Sequence, residues 1–206
     1  MRFITTRLLI ALLLLSLGTQ VYGQTQSSAQ AQKPVFGVKT NLLYWATTSP
    51  NIGVEFRVAP RWTIQPELGW NTWDYPNNSS IRHWIFIPEG RYWFCQAFEG
   101  HFLGLHLLYG QFDAGNWNWD RDFNPFFHKE IYDHIYNGWG AGAGLAYGYH
   151  FPLGKRWGLE LTLGAGYVYF SYDKYKCENC RELIGNYHRN YFGPTKSGVN
   201  LIYLIH

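Results

Sequence analysis

The side chains in this sequence with the clearest capacity for chemistry are eight ionisable residues that stand at alternate positions of apolar runs. Each lies on the side of its run that otherwise carries glycine, asparagine, threonine or glutamine: Lys39, Glu55, Arg57, Glu67, Glu89, Arg91, His106 and Glu160. An unpaired buried charge is costly, so acids and bases in nearly equal number suit an interior in which they neutralise one another. We predict a salt-bridged network of structural role, and a proton or ion path is the alternative.

Cys177 and Cys180 form a second group with potential chemistry, because they are separated by only two residues. Outside the reducing cytosol, such a pair favours a local disulfide, which we predict here. The alternatives are free thiols, or a metal site that would need two further ligands, for one of which His188 is available. A redox motif would need a helix N-terminus to lower one thiol pKa, and the surrounding sequence supplies none. Cys95 is expected at the opposite end of the fold, beyond the reach of either.

Two further stretches, residues 114–136 and 173–196, combine aromatic side chains with asparagine, aspartate and arginine. Exposed aromatic rings of this kind stack on sugars or bind protein partners. The alternative is that the rings pack on one another over the mouth of the fold. The predicted surface recognition site consists of Trp117, Trp119, Phe126, Phe127, Tyr132, Tyr187 and Arg189.

A catalytic interpretation rests on Ser171, with His188 and Glu182 further along the chain. A serine, a histidine and an acid near a strand end could hydrolyse or transfer a lipid acyl chain. No serine stands beside a histidine in sequence, and we therefore predict no enzymatic activity, no metal and no cofactor. A lipid-modifying hydrolase or acyltransferase remains the alternative function.

The strands that must position these groups are clearest between residues 138 and 172. Two runs there alternate strictly between apolar residues and small or polar residues. Every second residue is apolar, and each run begins and ends in aromatics on that face. The opposite face is mostly glycine, which suits a cramped interior. Apolar side chains toward lipid and small or polar side chains toward a narrow lumen are the pattern of a transmembrane β-barrel.

The same alternation continues from residue 35 to residue 206 and predicts about eight strands. Links two, four and six are short, whereas links three, five and seven are longer, as in bacterial barrels. The first strand is predicted over residues 35–46, with Leu42 and Tyr44 facing outward, and residues 114–136 and 173–196 are predicted as outer loops. The expected fold is all-β: a single closed antiparallel up-and-down transmembrane β-barrel, filled by its own side chains, with both termini in the periplasm.

The N-terminal segment and the composition agree with export to an envelope. Arg2 and Arg7 precede an apolar run too short to span a membrane as a helix, so residues 1–23 are predicted as a signal peptide. Residues 24–34 read as a flexible lead-in to the barrel domain, residues 35–206. Only 15% of residues are charged, against about 25% in soluble domains. The charge outside the signal peptide is nearly balanced, which gives no case for nucleic acid.

Three motifs carry a resemblance: KTNLLY at residues 39–44, PEGRYWF at residues 88–94 and GHFLGLH at residues 100–106. With them, the chain resembles the bacterial domain of unknown function family 3575. The resemblance implies a small outer-membrane barrel. Some relatives are fused to a peptidoglycan-binding domain, which we do not expect here, and relatives are associated with fimbrial gene clusters. The family carries no established activity to transfer.

Taken together, the sequence predicts a non-enzymatic integral outer-membrane barrel that contacts outer-membrane lipid. Its surface loops would serve an adhesive interaction or one with an envelope or fimbrial protein. A secreted soluble, lipocalin-like ligand-binding barrel is a further alternative. Its outward faces would be charged, however, and those of this chain are apolar.

Overall fold

A computed structural model describes residues 34–73, 80–115, 134–176 and 182–205 of the chain. The predicted signal peptide and nearly all of the lead-in lie outside these residues. The described elements are β1 (Phe36–Asn41), α1 (Leu42–Ala46), β2 (Asn51–Ala59), β3 (Trp62–Asn71), β4 (Ser80–Trp93), β5 (Gly100–Gly115), β6 (His134–Pro152), β7 (Trp157–Lys176) and β8 (Glu182–Ile205). The prediction of an all-β fold with about eight strands is confirmed.

Each strand pairs antiparallel with the next along the chain. β1 also pairs with β8, from Phe36 opposite Ile205 to Asn41 opposite Asn200, so the hydrogen bonds form a complete ring. We call the end that carries the links at residues 60–61, 94–99 and 153–156 the lower end. The opposite end, which carries α1, is the upper end. Within the described ranges, no helix has the length and apolar character needed to cross a membrane.

The polarity of the two faces of this closed sheet is the reverse of that in a soluble protein. The inner face buries polar and charged side chains, among them Lys39, Asn41, Asn51, Glu55, Thr63, Gln65, Glu67, Glu89, Arg91, His106, Glu160, Lys196 and Asn200. The outer face exposes large apolar side chains, including Ile52, Phe56, Ile64, Leu68, Phe86, Leu103, Leu105, Leu107, Leu145, Leu161 and Leu163. The period-two alternation of the sequence therefore sorts the residues between these faces.

Aromatic rings contact one another across neighbouring strands at both ends of this apolar surface. At the upper end, one row runs across β4, β5, β6 and β7, with ring centroids 5.5 to 6.2 Å apart: Trp84, Tyr109, Trp139 and Tyr169. At the lower end, Trp62 meets Tyr92 at 5.1 Å, and Trp157 meets Tyr203 at 5.0 Å. The aliphatic side chains lie between the two sets of rings.

The first strand is shorter than the sequence predicts, because it ends at Asn41 and a helix follows. The Asn41 side chain accepts a hydrogen bond from the Leu43 backbone N–H, and asparagine is among the preferred residues for capping a helix in this way. The expectation that residues 35–46 form one strand is therefore wrong beyond Asn41. Five residues of helix, Leu42–Ala46, replace its upper part.

Tyr44 consequently does not face outward with Val38, as the strand alternation predicted. Its ring turns to the upper end of β3, where a Cβ atom on Gly69 would lie 3.0 Å from it. Burial, together with the nearby Glu67 carboxylate, raises the pKa of the Tyr44 phenol well above its ordinary value.

The stretch at residues 173–196 is also not the loop that its polar composition suggested. β7 continues to Lys176, and β8 begins at Glu182, so the two strands form a tall hairpin. Cross-strand contacts explain its regular structure: the rings of Tyr172 and Tyr187 stack at 6.1 Å, and the Tyr167 hydroxyl donates to Asn190 Oδ1 at 2.7 Å. Similarly, residues 114 and 115 belong to β5, and β6 begins at His134.

The strands consequently differ greatly in length. β1 has 6 residues and β2 has 9, whereas β7 has 20 and β8 has 24. Above Asn41 and Asn200, β8 continues without β1 beside it. The Asn41 side chain ends the pairing, because its amide donates to the Ser197 carbonyl and its oxygen accepts from the Val199 N–H. The upper end of the molecule is therefore a one-sided wall, highest at β7 and β8.

Candidate functional site

The interior of the closed sheet is divided into three levels, and the lowest is an apolar plug. Trp93, Phe98 and Phe102 pack there with Ile202 and Leu204, all less than a tenth exposed. The rings of Trp93 and Phe102 are 4.8 Å apart. The Trp93 indole N–H donates to the Thr63 hydroxyl at 2.9 Å, which satisfies the one polar atom of that ring.

Above the plug lies a layer of buried charges centred on Arg91. Its Nη1 donates to Glu160 Oε2 at 2.8 Å and to Glu55 Oε2 at 3.0 Å, and its Nε donates to Glu89 Oε1 at 2.9 Å. Lys39 Nζ forms ion pairs with two of these three carboxylates, at 2.5 Å with Glu55 and at 3.2 Å with Glu160. Each of these side chains is almost completely buried, so the charges compensate one another rather than being screened by water.

A second lysine completes this charge layer on its upper side. Lys196 forms an ion pair with Glu89 and a longer one, of 3.4 Å, with Glu67. Gln65 connects Lys39 with Glu67, since its oxygen accepts from Lys39 at 3.0 Å and its amide donates to Glu67 at 3.0 Å. Three cations thus face four carboxylates, which come from β2, β3, β4 and β7.

The charge layer also contacts the plug beneath it. The Arg91 guanidinium lies over the Phe102 ring, 4.2 Å from its centroid. Its Nη2 atom has no hydrogen-bond partner among the described residues, and the ring face is the neighbour that partly compensates for this. The side chains of the plug and the charge layer are buried and contact one another across the interior. They therefore suit a structural role.

Of the eight predicted network residues, six are joined by these ion pairs: Lys39, Glu55, Glu67, Glu89, Arg91 and Glu160. His106 is buried at the upper edge of the layer, where its Nε2 lies 2.9 Å from the Thr195 hydroxyl. Arg57 is half-buried near the lower end of β2, beside a register shift, and takes part in none of the ion pairs described here.

Lys196 was missed because residues 173–196 were predicted as a loop. The signal was present in the sequence, since Lys196, Gly198, Asn200 and Ile202 alternate with Ser197, Val199, Leu201 and Tyr203. Extending the inward face of the last strand by one more step reaches Lys196. A lysine at that position completes a set in which acids outnumber bases.

The highest level of the interior is open space. A cavity of about 240 Å³ lies directly above the charge layer, with Ile85, Leu108, Val168 and Phe170 in its wall. A second cavity, of about 540 Å³, occupies the upper mouth and is lined by both polar and aromatic residues, including Asn71, Asn137 and Tyr172. The two cavities share His83, Trp84, Gln111 and Phe112. The interior therefore has the form of a cup with a sealed lower end.

The predicted recognition residues are only partly within the described chain. Tyr187 and Arg189 are exposed on β8 in the upper part of the β7–β8 hairpin, and thus belong to a strand rather than to a loop. The other members lie outside the described residues: Trp117, Trp119, Phe126, Phe127 and Tyr132. The same holds for Cys177 and Cys180. Cys95 is a free, exposed thiol in the link between β4 and β5.

The serine and histidine of the catalytic alternative stand opposite each other in the β7–β8 register, as Ser171 and His188. The His188 ring stacks on Tyr169, with centroids 5.7 Å apart. Glu182 is opposite Lys176 at the far end of the hairpin, so the acid is not beside the histidine. Ser171, His188 and Glu182 are therefore not arranged as a serine–histidine–acid triad.

Comparison with known proteins gives one match, to a family model. No curated protein and no solved structure matches the chain. A family model described as "Protein of unknown function (DUF3575)" matches residues 9–205, nearly the whole length, which confirms the resemblance found in the sequence motifs. The chain belongs to this family.

Proposed function

We propose that the chain is a non-enzymatic, integral outer-membrane β-barrel, closed to ion flow, that holds its upper hairpin and links outside the cell. The partner it meets there would be an adhesive target or an envelope or fimbrial protein. The predicted signal peptide supports export, and the observation that carries the proposal is the apolar outer face.

On β7, the outward residues between Trp157 and Tyr167 are Leu159, Leu161, Leu163 and Ala165. A membrane-spanning strand needs about 9–11 residues, and small barrels carry an apolar band of about 25 Å between two aromatic girdles. The aromatic rows at the two ends match the positions of such girdles. A soluble protein of this size would have to expose this whole apolar surface to water.

Closure to ions is supported by the two lower levels of the interior. A barrel of eight strands has room inside for little more than its own side chains. In this chain, the plug and the charge layer lie in the lower half, with Arg91, Glu55 and Glu160 fully buried. Recording from refolded protein in a planar bilayer should therefore show no stable conductance steps. Reproducible single-channel steps would contradict the proposal.

Presentation of the upper end is supported by the height of the β7–β8 hairpin. β8 has 24 residues, more than twice the length needed to cross a membrane. The surplus lies at the upper end and carries exposed Leu183, Tyr187 and Phe192. A segment of this length, built as paired strands, gives a rigid surface that stands clear of the lipid headgroups.

The orientation can be tested by labelling with an impermeant thiol reagent on intact cells. The background would carry serine in place of Cys95, Cys177 and Cys180. Asn186→Cys, on the exposed hairpin, should label, whereas Gly154→Cys, in the lower link between β6 and β7, should label only after the cells are broken. Labelling of Gly154→Cys but not of Asn186→Cys on intact cells would invert the topology and remove the proposed surface site.

A further inference from the structure

The open cavity above the charge layer has a composition unlike that of the interior below it. Its wall is formed by aliphatic and aromatic side chains, among them Ile85, Leu108 and Val168. Phe112 and Phe170 meet edge to face there, with centroids 6.0 Å apart. The floor is closed by the hydrogen bond between Thr195 and His106. This apolar chamber has no part in filling the lower end of the interior, where the plug and the charge layer lie.

The size of the chamber limits what it can hold. A cavity of about 150 Å³ lined by leucine, isoleucine and phenylalanine is enough to bind benzene. The chamber measures about 240 Å³, which leaves room for one ring and a short substituent. The mouth cavity above it, about 540 Å³, gives such a molecule a route from the upper end. Aromatic walls favour a flat ring, because ring edges and faces attract one another in offset and edge-to-face geometries.

The residues that line both cavities include three with polar side-chain atoms: His83, Trp84 and Gln111. The Trp84 and Gln111 side chains are exposed and hydrogen-bonded to each other, whereas His83 is half-buried. Its Nδ1 lies 3.2 Å from the Ile81 carbonyl oxygen, and a carbonyl can only accept, so Nδ1 carries the proton. The neutral ring then has Nε2 as a hydrogen-bond acceptor. A ligand with its ring in the chamber and a hydroxyl at this level could donate to that nitrogen.

We propose that the upper interior is a binding site for a small single-ring phenol. Its ring would lie among Leu108, Val168 and Phe170, and its hydroxyl would donate to His83. Ligand sites of proteins are usually concave and mainly apolar, with few polar groups that fix orientation, which is the arrangement found here. This inference is drawn from the interior and does not depend on any protein partner. Its test uses the proposed membrane insertion, and failed insertion, seen as the absence of a heat-sensitive folded band, is distinguished from failed binding before the titration.

The test is calorimetric titration of the full mature chain, refolded in nanodiscs, with 4-methylphenol as the probe and empty nanodiscs as the partition blank. Saturable binding with one site per chain is expected. Leu108→Phe, which fills the chamber, should weaken binding at least tenfold, and Leu107→Phe, its outward-facing neighbour, should leave it unchanged. Absence of saturable binding, or equal loss in both variants, would overturn the proposal.

Two comparisons between probes on the unchanged protein, with toluene and with 1-heptanol, decide the matter if Leu108→Phe does not fold. Toluene, which lacks the hydroxyl, should bind about two- to tenfold more weakly than 4-methylphenol, as expected for one net hydrogen bond. In His83→Phe that difference should vanish. Equal binding of both probes to the unchanged protein would remove the role of His83. Binding of 1-heptanol as tight as that of 4-methylphenol would overturn the assignment of an aromatic ligand.

Discussion

Arg91 and Glu160 stand on β4 and β7, which are not neighbours in the sheet, and yet their side chains meet at 2.8 Å. The ion pair therefore crosses the interior instead of linking adjacent strands. Both side chains are fully buried, and Arg91 also holds Glu55 on β2. One guanidinium thus connects three parts of the ring, and its planar fork of donors is suited to several carboxylates at once.

Arg91→Leu should destabilise the fold severely, because it leaves three buried carboxylates with less compensation. Removal of one partner of a buried ion pair costs about 3–5 kcal/mol. The measurement is the unfolding free energy in guanidinium chloride, followed by tryptophan fluorescence in detergent. Arg57→Leu is the matched control, since Arg57 is only half-buried and belongs to none of the described ion pairs. Equal losses for the two variants would refute a special role of Arg91.

Lys196 and Glu67, 3.4 Å apart, should be energetically coupled. Lys196→Ala leaves Glu67 and Glu89 without a shared cation, and Glu67→Gln then relieves part of the excess negative charge. A double-mutant cycle should give a coupling of about 0.5–3 kcal/mol in unfolding free energy. The control cycle combines Lys196→Ala with Glu182→Gln at the far end of β8 and should be additive within about 0.5 kcal/mol. Additivity in both cycles would count against the charge layer.

Leu105→Arg and Leu183→Arg place the same charge on two exposed leucines at different heights. Leu105 is 60% exposed in the middle of the apolar band, and Leu183 is 52% exposed on the upper hairpin. An arginine at mid-depth in lipid costs about 2–4 kcal/mol, whereas Leu183→Arg should be close to neutral. The folded fraction, seen as a heat-sensitive band on a gel, provides the measurement. If both variants fold equally well, the outer face does not contact lipid.

Gly148→Ala and Gly90→Ala should change stability in opposite directions. A methyl group at Gly148 would collide with the Phe102 ring and lie 2.8 Å from the Leu161 carbonyl oxygen, so we expect a loss of about 1–3 kcal/mol. At Gly90, the outward space is open, with no atom within 4 Å. There, the restricted unfolded chain should give a gain of about 0.4–1 kcal/mol. Urea unfolding of the two variants side by side checks the signs.

Much of the fold followed from one property of the sequence, its period-two alternation. Inward and outward positions on β5, β6 and β7 are as predicted, because each strand there has one apolar and one small or polar face. The charges Lys39, Glu55 and Glu160 were identified in the same way, although their partners were not. Pairing across the interior depends on the curvature of the sheet, and no local pattern carries that information.

The misjudged elements were those in which local chemistry overrides the alternation. At the end of β1, the capping side chain of Asn41 starts a helix within a run of apolar residues that also suits a strand. In the upper hairpin, polar and aromatic residues form strands because neighbouring rings stack, although their composition resembles that of a loop. The upper cavity could not be predicted either, since empty space results from how far opposite side chains reach.

The ring of strands is closed by a short seam between β1 and β8. β1 offers only 6 residues to β8, whereas β6 and β7 pair over the full 19 residues of β6. The two sides of that seam also come from opposite ends of the described chain, so their meeting carries the largest loop-closure entropy of any pair. In kinetic terms, closure of the seam should be the last and slowest step of folding. In the native state, its amide protons should exchange with solvent before those of the β6–β7 hairpin.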